Sequence, residues 1–240
     1  MTSASNSIEL LLRLIFTIKL LIAQLLIALY LLIKIKNREK ESKRINFEFS
    51  FSIFILMVCL SISLVLYAHF NFNLTHFNPN KYHLYPYVFV WKLASLISFI
   101  GYTIVLYIID KEVLDFRIKG IPAYIVVVIA ITQFLWPVSQ PEDFEFIATL
   151  GIIGMVVAIV ITIIFFNIGK KTPGLRLASY LIALGVLVYV IGSSLLVETI
   201  VIQLEVVFSA EIRVFLYVLS LSLNITGLIL AAYGVVKFSL

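Results

Sequence analysis

All three histidines of the chain fall in one stretch, AHFNFNLTHFNPNKYHLYPYVFVWK (residues 68–92), seven residues apart: His69, His76 and His83. Imidazole is a common metal ligand and titrates near neutrality, so the triplet raises a metal site or a pH sensor. The spacing argues against one ion. Residues seven apart on a helix lie about 10.5 Å apart along the axis, whereas zinc–imidazole bonds are about 2 Å. Pro79 and Pro86 interrupt any such helix, and the loop holds neither a cysteine nor an acid to complete a site. Aromatic rings crowd the same stretch and suit the layer where a membrane meets water. No metal is therefore expected. Glu142, Asp143, Glu145, Glu198, Glu205 and Glu211 could join the histidines in a cation- or pH-sensitive pocket, but a solvated rim of ordinary loop charges is the preferred reading.

Sharper candidates are polar side chains inside apolar runs, where a charge costs roughly 2.5–3.5 kcal/mol at the membrane centre. Lys19 stands deep in the first run with Gln24 beyond it, and Lys92 stands one turn into the third. Lys92 and Arg13 are close enough to run ends for their heads to reach the interface. Lys19 is either a snorkelling residue or an intramembrane polar contact. Asn224, in mid-run, can hydrogen-bond across helices. Lys19, Lys92, Glu198 and Asn224 together make the candidate ligand-binding set.

Other chemistry is missing. No histidine lies in mid-run to ligate heme. The last run has no central lysine for a retinal Schiff base, since Lys237 lies beyond it. The GSS at 192–194 has no histidine base at that depth. There is no HExxH, no phosphate-binding loop and no pair of intramembrane carboxylates. Neither catalysis nor a cofactor is expected.

The elements that must position these residues follow from composition. Hydrophobic residues make up 62% of the 240 and charged ones 13%, far too few charges to cover so apolar a soluble fold. Lipid is the solvent that suits the chain. Crossing about 30 Å of hydrocarbon takes about 20 residues, and seven runs qualify. They cover residues 9–33, 48–70, 87–109, 121–138, 145–168, 176–197 and 212–236. The expected fold is thus all-α, a single polytopic domain of seven transmembrane helices over residues 1–240. Strands of a membrane barrel would alternate polar and apolar residues, and these runs do not.

Basic residues collect in alternate loops: Lys34 to Arg44, then Lys111, Arg117 and Lys119, then Lys170, Lys171 and Arg176. With Lys237, thirteen of the eighteen lysines and arginines share one side, which the positive-inside rule makes cytoplasmic. The N-terminus is then outside and the C-terminus inside. Trp91 and Trp136 sit at the outer ends of the third and fourth runs, where indole prefers the headgroup layer. The bases form blocks rather than a stripe, so nucleic acid is not an expected partner. The first run lacks a basic leader and a cleavage site and reads as an uncleaved span. Small residues that let helices approach include Ala94 with Ser98, Gly154 with Ala158, Ser179 with Ala183, and Gly227 with Ala231. Asp110 and Glu48, at inner helix ends, are expected to pair with the basic loops.

The fifth loop and sixth run read KKTPGLRLASYLIALGVLVYVIGSSL, with Lys171, Gly174 and Arg176 followed by Gly185 and Gly192; the third opens VFVWKLASLISFIGYTIVLYIIDKE. With seven spans, an outside N-terminus and short loops, the chain resembles the seven-helix membrane regions at the N-terminus of prokaryotic sensor histidine kinases. The resemblance spans the whole chain. It implies a unit of the cell membrane that detects a ligand or membrane state and relays it to a cytoplasmic output domain. Since the sequence stops at VVKFSL, the signal is expected to leave through a separate cytoplasmic or membrane partner. Two alternatives are a non-catalytic accessory subunit of a membrane assembly and a small SWEET-like solute transporter. The latter shares the span count and orientation but has SQPEDF where a PQ-type motif is needed, and lacks matching halves. Oligomeric state is open.

Overall fold

An apolar run in lipid has no water to hydrogen-bond its backbone, so it must satisfy each N–H and C=O internally, and helix is the local solution. A computed structural model describes residues 3–41, 47–195, 204 and 212–238, and among them there is no strand. The helices are α1 (Ser3–Glu41), α2 (Phe47–Ala68), α3 (Tyr87–Ile108), α4 (Ile121–Leu135), α5 (Pro141–Leu150), α6 (Ile152–Lys171), α7 (Arg176–Ser194) and α8 (Ile212–Phe238). Five stretches are long and apolar enough to cross a membrane: Leu10–Asn37, Phe49–Thr75, Tyr87–Val113, Pro173–Ser194 and Phe215–Phe238; Ile121–Leu135 is a shorter apolar helix. Leucine, isoleucine and phenylalanine side chains stand exposed all along them, Leu26 at 60% and Ile22 at 50% on α1, for example. Bare apolar surface on that scale, along helices long enough to cross a bilayer, suits lipid. The protein is a multi-pass, all-helical membrane protein.

One boundary is corrected. The run expected at 145–168 is broken at Gly151, and residues 145–150 belong to the separate ten-residue helix α5. The cause is local. Pro141 supplies a preset first-turn φ, and Gln140 and Asp143 form a reciprocal capping box that starts a helix before the apolar run begins. Ile147 is fully buried while Glu142 and Glu145 are exposed, so α5 is amphipathic. Pro122 starts α4 as expected, after Gly120 at φ 71°.

The chain divides into two compact units, one of Met1–Ala23 with Ala158–Phe238, the other of Gln24–Val157. In the first unit α7 and α8 run antiparallel along a seam of small residues. A Cβ placed on Gly185 would stand 2.4 Å from the Ala231 nitrogen and 2.6 Å from the Gly227 oxygen; one on Gly227 would stand 2.5 Å from the Tyr189 nitrogen. Backbone meets backbone there, which only glycine allows. The expected pair Gly227 and Ala231 is therefore a contact, with Gly185 as its partner. Ser179 and Ala183 are buried on α7, and Thr162 of α6 donates to the Ala183 carbonyl at 3.4 Å. Of Gly154 and Ala158, only Ala158, which is buried, falls among the described side chains.

In the second unit α3 packs between α2 and α4. Ala94 is fully buried, and Ser63 of α2 donates to its carbonyl at 2.7 Å. Both α2 and α3 loosen into π-helical turns at their ends, His69–Thr75 and Ile109–Val113. The second leads to a further correction. Asp110 is 2% exposed, and instead of pairing with a basic residue it accepts the backbone N–H groups of Ile118, at 3.0 Å, and Gly120. That loop turns through left-handed residues at Asp115, Phe116, Lys119 and Gly120, leaving amides pointing inward that a carboxylate satisfies better than a flexible lysine would use it. Lys111 pairs with Glu112 at 3.2 Å. Glu48 lies outside the described side chains.

Candidate functional site

Four helices of the second unit bring polar groups together at the end that carries both tryptophans. Lys92 and Ser95 are one turn apart on α3, and Gln133 and Trp136 are one turn apart at the end of α4. This i, i+3 spacing puts each pair on one helix face. Lys92 donates from its ammonium to the Trp136 carbonyl. Ser95 donates to Gln133 Oε1, and Gln133 Nε2 donates to the Ile147 carbonyl of α5 at 2.7 Å. Tyr67 of α2 is hydrogen-bonded to Ser95, so one chain of polar contacts links α2, α3, α4 and α5.

Each contact has a local reason. Trp136 caps the C-terminus of α4, where the last carbonyls lack intrahelical partners and the helix dipole is negative. A lysine ammonium meets both demands. Gln133 is 2% exposed and Ser95 is 4% exposed, so both must find protein partners. Rings close over the network. Trp91 meets Phe144 at 5.0 Å and Tyr67 at 6.1 Å, Phe144 meets Tyr82 at 5.4 Å, and Trp136 meets Phe146 at 4.8 Å. Phe144 thus plugs α5 into the aromatic end of the loop that holds the histidines.

Lys92, expected to extend its head toward the interface, is 9% exposed and reaches the end of α4 that carries Trp136. No carboxylate lies within ion-pair distance of it among the described residues. Lys19, by contrast, is exposed on the first unit, its ammonium 5.9 Å above the Phe16 ring of its own helix. Arg13 lies over the Tyr217 ring at 4.5 Å. Gln24 is 2% exposed, and its Oε1 has no hydrogen-bond partner. Asn224 sits in the α7–α8 seam. Ser193 donates to its Oδ1 at 3.1 Å, and its Nδ2 reaches Ser220 Oγ at 3.5 Å. Those contacts make Asn224 an interhelical clasp. Glu198, Glu205 and Glu211 lie outside the described residues. Lys19 and Asn224 share a unit without a hydrogen bond between them, and Lys92 belongs to the other unit.

The histidines have separate surroundings. Asn73 Nδ2 donates to His69 Nδ1 at 3.0 Å, His76 ends the π-helical turn in a left-handed conformation, and His83 Nδ1 is buried without a partner. Among the described residues no group of three or more His, Cys, Asp or Glu could hold a metal ion.

Asp143 accepts the N–H groups of Ser139, at 2.9 Å, and Gln140, at 3.0 Å, and these bonds hold its carboxyl below the ordinary aspartate value. A lowered pKa means the cap is fully formed above the unfolded aspartate range and is lost as pH falls through the folded value. Protection of the Ser139 and Gln140 amides, measured relative to their intrinsic exchange rates, should therefore fall as the pH drops below about 4, and Asp143→Asn should remove that pH dependence.

Ser95, Gln133 and Tyr67 were not among the sequence candidates. A glutamine in the apolar run IPAYIVVVIAITQFLW was the available signal, of the same kind that singled out Asn224. No protein-family model matches the chain, and comparison with curated proteins and with solved structures finds no match.

Proposed function

We propose that the protein is a receptor-like sensor of the cell membrane that binds an anionic ligand beside Lys92 and signals through a separate partner. Its seven crossings place the N-terminus outside and the C-terminus in the cytoplasm, with α4 and α6 adding to the five long apolar stretches. At 15 residues α4 spans only about 22 Å, and the residues from Trp136 onward complete its passage. The observation that carries the reading is a buried ammonium whose partner is one backbone carbonyl. A neutral donor would cap α4 at less desolvation cost, so the charge itself calls for a role. An incoming carboxylate or phosphate would compete with Trp136 for the ammonium, loosen the end of α4, and be felt by α5 through Gln133. The resemblance to kinase-linked membrane regions supports the same direction of signal flow.

The test joins topology to binding. In a Cys59→Ser background, an impermeant thiol reagent should label a cysteine at Ser139 on intact cells but not one at Lys36. Small organic acids should raise the unfolding temperature of the purified protein in nanodiscs, and Lys92→Met should abolish that rise. Labelling at position 36 from outside would overturn the orientation. A ligand shift that survives Lys92→Met would overturn the site. Stoichiometric companions that stay bound with or without ligand would favour the accessory-subunit reading.

A further inference from the structure

The KKTPGLR motif is left unused by that reading, and its surroundings in the first unit are distinctive. Lys170 and Lys171 end α6, the turn Pro173–Leu175 follows, and Arg176 opens α7. Gly169 packs against Tyr180, a Cβ there standing 2.6 Å from the ring and 3.2 Å from the Arg176 carbonyl oxygen, so the end of α6 is clamped to the start of α7. The end of α8 arrives at the same place. Gly234 faces Ile182 and the Ala178 carbonyl, and Phe238 meets Phe165 of α6 edge-on at 5.5 Å. Lys237 therefore joins the other three cations at one end of three helices. All four are exposed, and among the described residues none has a carboxylate within ion-pair distance. Aromatic rings stand beside them. Arg176 lies 5.7 Å above Tyr180, Lys237 lies 5.8 Å above Tyr233, and Phe166 stacks on Tyr180 at 5.0 Å. Gly174 leaves the turn open, with nothing within 4 Å of where its Cβ would be.

We propose that this end of α6, α7 and α8 is a docking site for the headgroup of an anionic phospholipid. Lys170, Lys171, Arg176 and Lys237 would meet its phosphate, and the exposed rings of Phe166 and Tyr233 would lie along its glycerol and upper acyl chains. Four unneutralised cations in one patch need anionic partners, and exposed aromatics at their base point to a partner that is apolar on one side. A lipid has both properties, whereas a free phosphate has only the first. The site rests on the membrane reading but not on which face is cytoplasmic, nor on the ligand at Lys92.

The experiment uses the full chain in nanodiscs of phosphatidylcholine, with or without phosphatidylglycerol, and counts retained lipids by native mass spectrometry. Wild type should retain phosphatidylglycerol preferentially, and each cation changed to glutamine should weaken retention about fivefold, as expected for one charge near an anionic surface. In Lys170→Gln/Lys171→Gln/Arg176→Gln the preference should vanish. A control, Lys34→Gln/Lys36→Gln, should keep it. Equal loss in the control would overturn the proposal in favour of diffuse attraction, and displacement of the lipid by millimolar inorganic phosphate would overturn it in favour of a free-phosphate site. Failure of the Lys92 experiment would leave this result untouched.

Discussion

Gly185→Leu should separate α7 from α8 and cost about 3 kcal/mol or more, seen as a fall of roughly 6–12 °C in the unfolding temperature in detergent. The size of the effect comes from what the new side chain meets. Its Cβ alone would sit 2.4 Å from the Ala231 nitrogen and 2.6 Å from the Gly227 oxygen, and backbone cannot swing aside as a side-chain tip can. The helices must move apart, and the Asn224 clasp a few turns along must stretch with them. Without a hydrophobic drive between helices in lipid, such close packing is what holds the pair together. Gly185→Ala should already show part of the loss. Gly174→Ala is the matched control, since its Cβ would meet nothing within 4 Å, and it should leave the unfolding temperature unchanged. If Gly185→Leu unfolds at the wild-type temperature, the seam is not the contact described.

Gln133→Leu should have the next largest effect, about 2–6 kcal/mol, because it leaves two buried groups unpaired at about 1–3 kcal/mol each. The groups are the Ser95 hydroxyl and the Ile147 carbonyl, and the leucine can bond neither. The loss should be felt locally as well. Amides of α5 should exchange faster, since Gln133 is the hydrogen bond that ties α5 to α4. Ser95 can recover part of the cost by turning back to a carbonyl of its own helix. A double-mutant cycle isolates the bond: Ser95→Ala should cost less in the Gln133→Leu background than in wild type, by about 1 kcal/mol. Gln133→Glu separates shape from donor chemistry, because a carboxylate still accepts from Ser95 but cannot donate to Ile147. Additive costs in the cycle would show that the two residues do not share a bond.

Much of the architecture was legible beforehand because lipid imposes a simple rule. Runs of about 20 apolar residues must be helices, and among the described residues the expected runs are helical, with one break. The exception is instructive. Hydropathy alone joined residues 145–150 to the following run, while the capping residues Gln140, Pro141 and Asp143 had already started a separate helix. Asn224 was recognised as an interhelical group, since one amide in an apolar run has few alternatives, and its partners Ser193 and Ser220 follow from packing.

Composition and hydropathy determined the solvent, the helical class and the approximate helix ends, because each depends on one segment and its surroundings in lipid. Partnership needed the tertiary structure. Lys92 reads along the chain as an interfacial lysine, and only the approach of α4 offers it the Trp136 carbonyl 44 residues away. Asp110 reads as a partner for neighbouring bases, and only the left-handed turns of its loop aim two amides at it. Local sequence sets what a side chain needs, but which distant group meets that need is decided where helices cross.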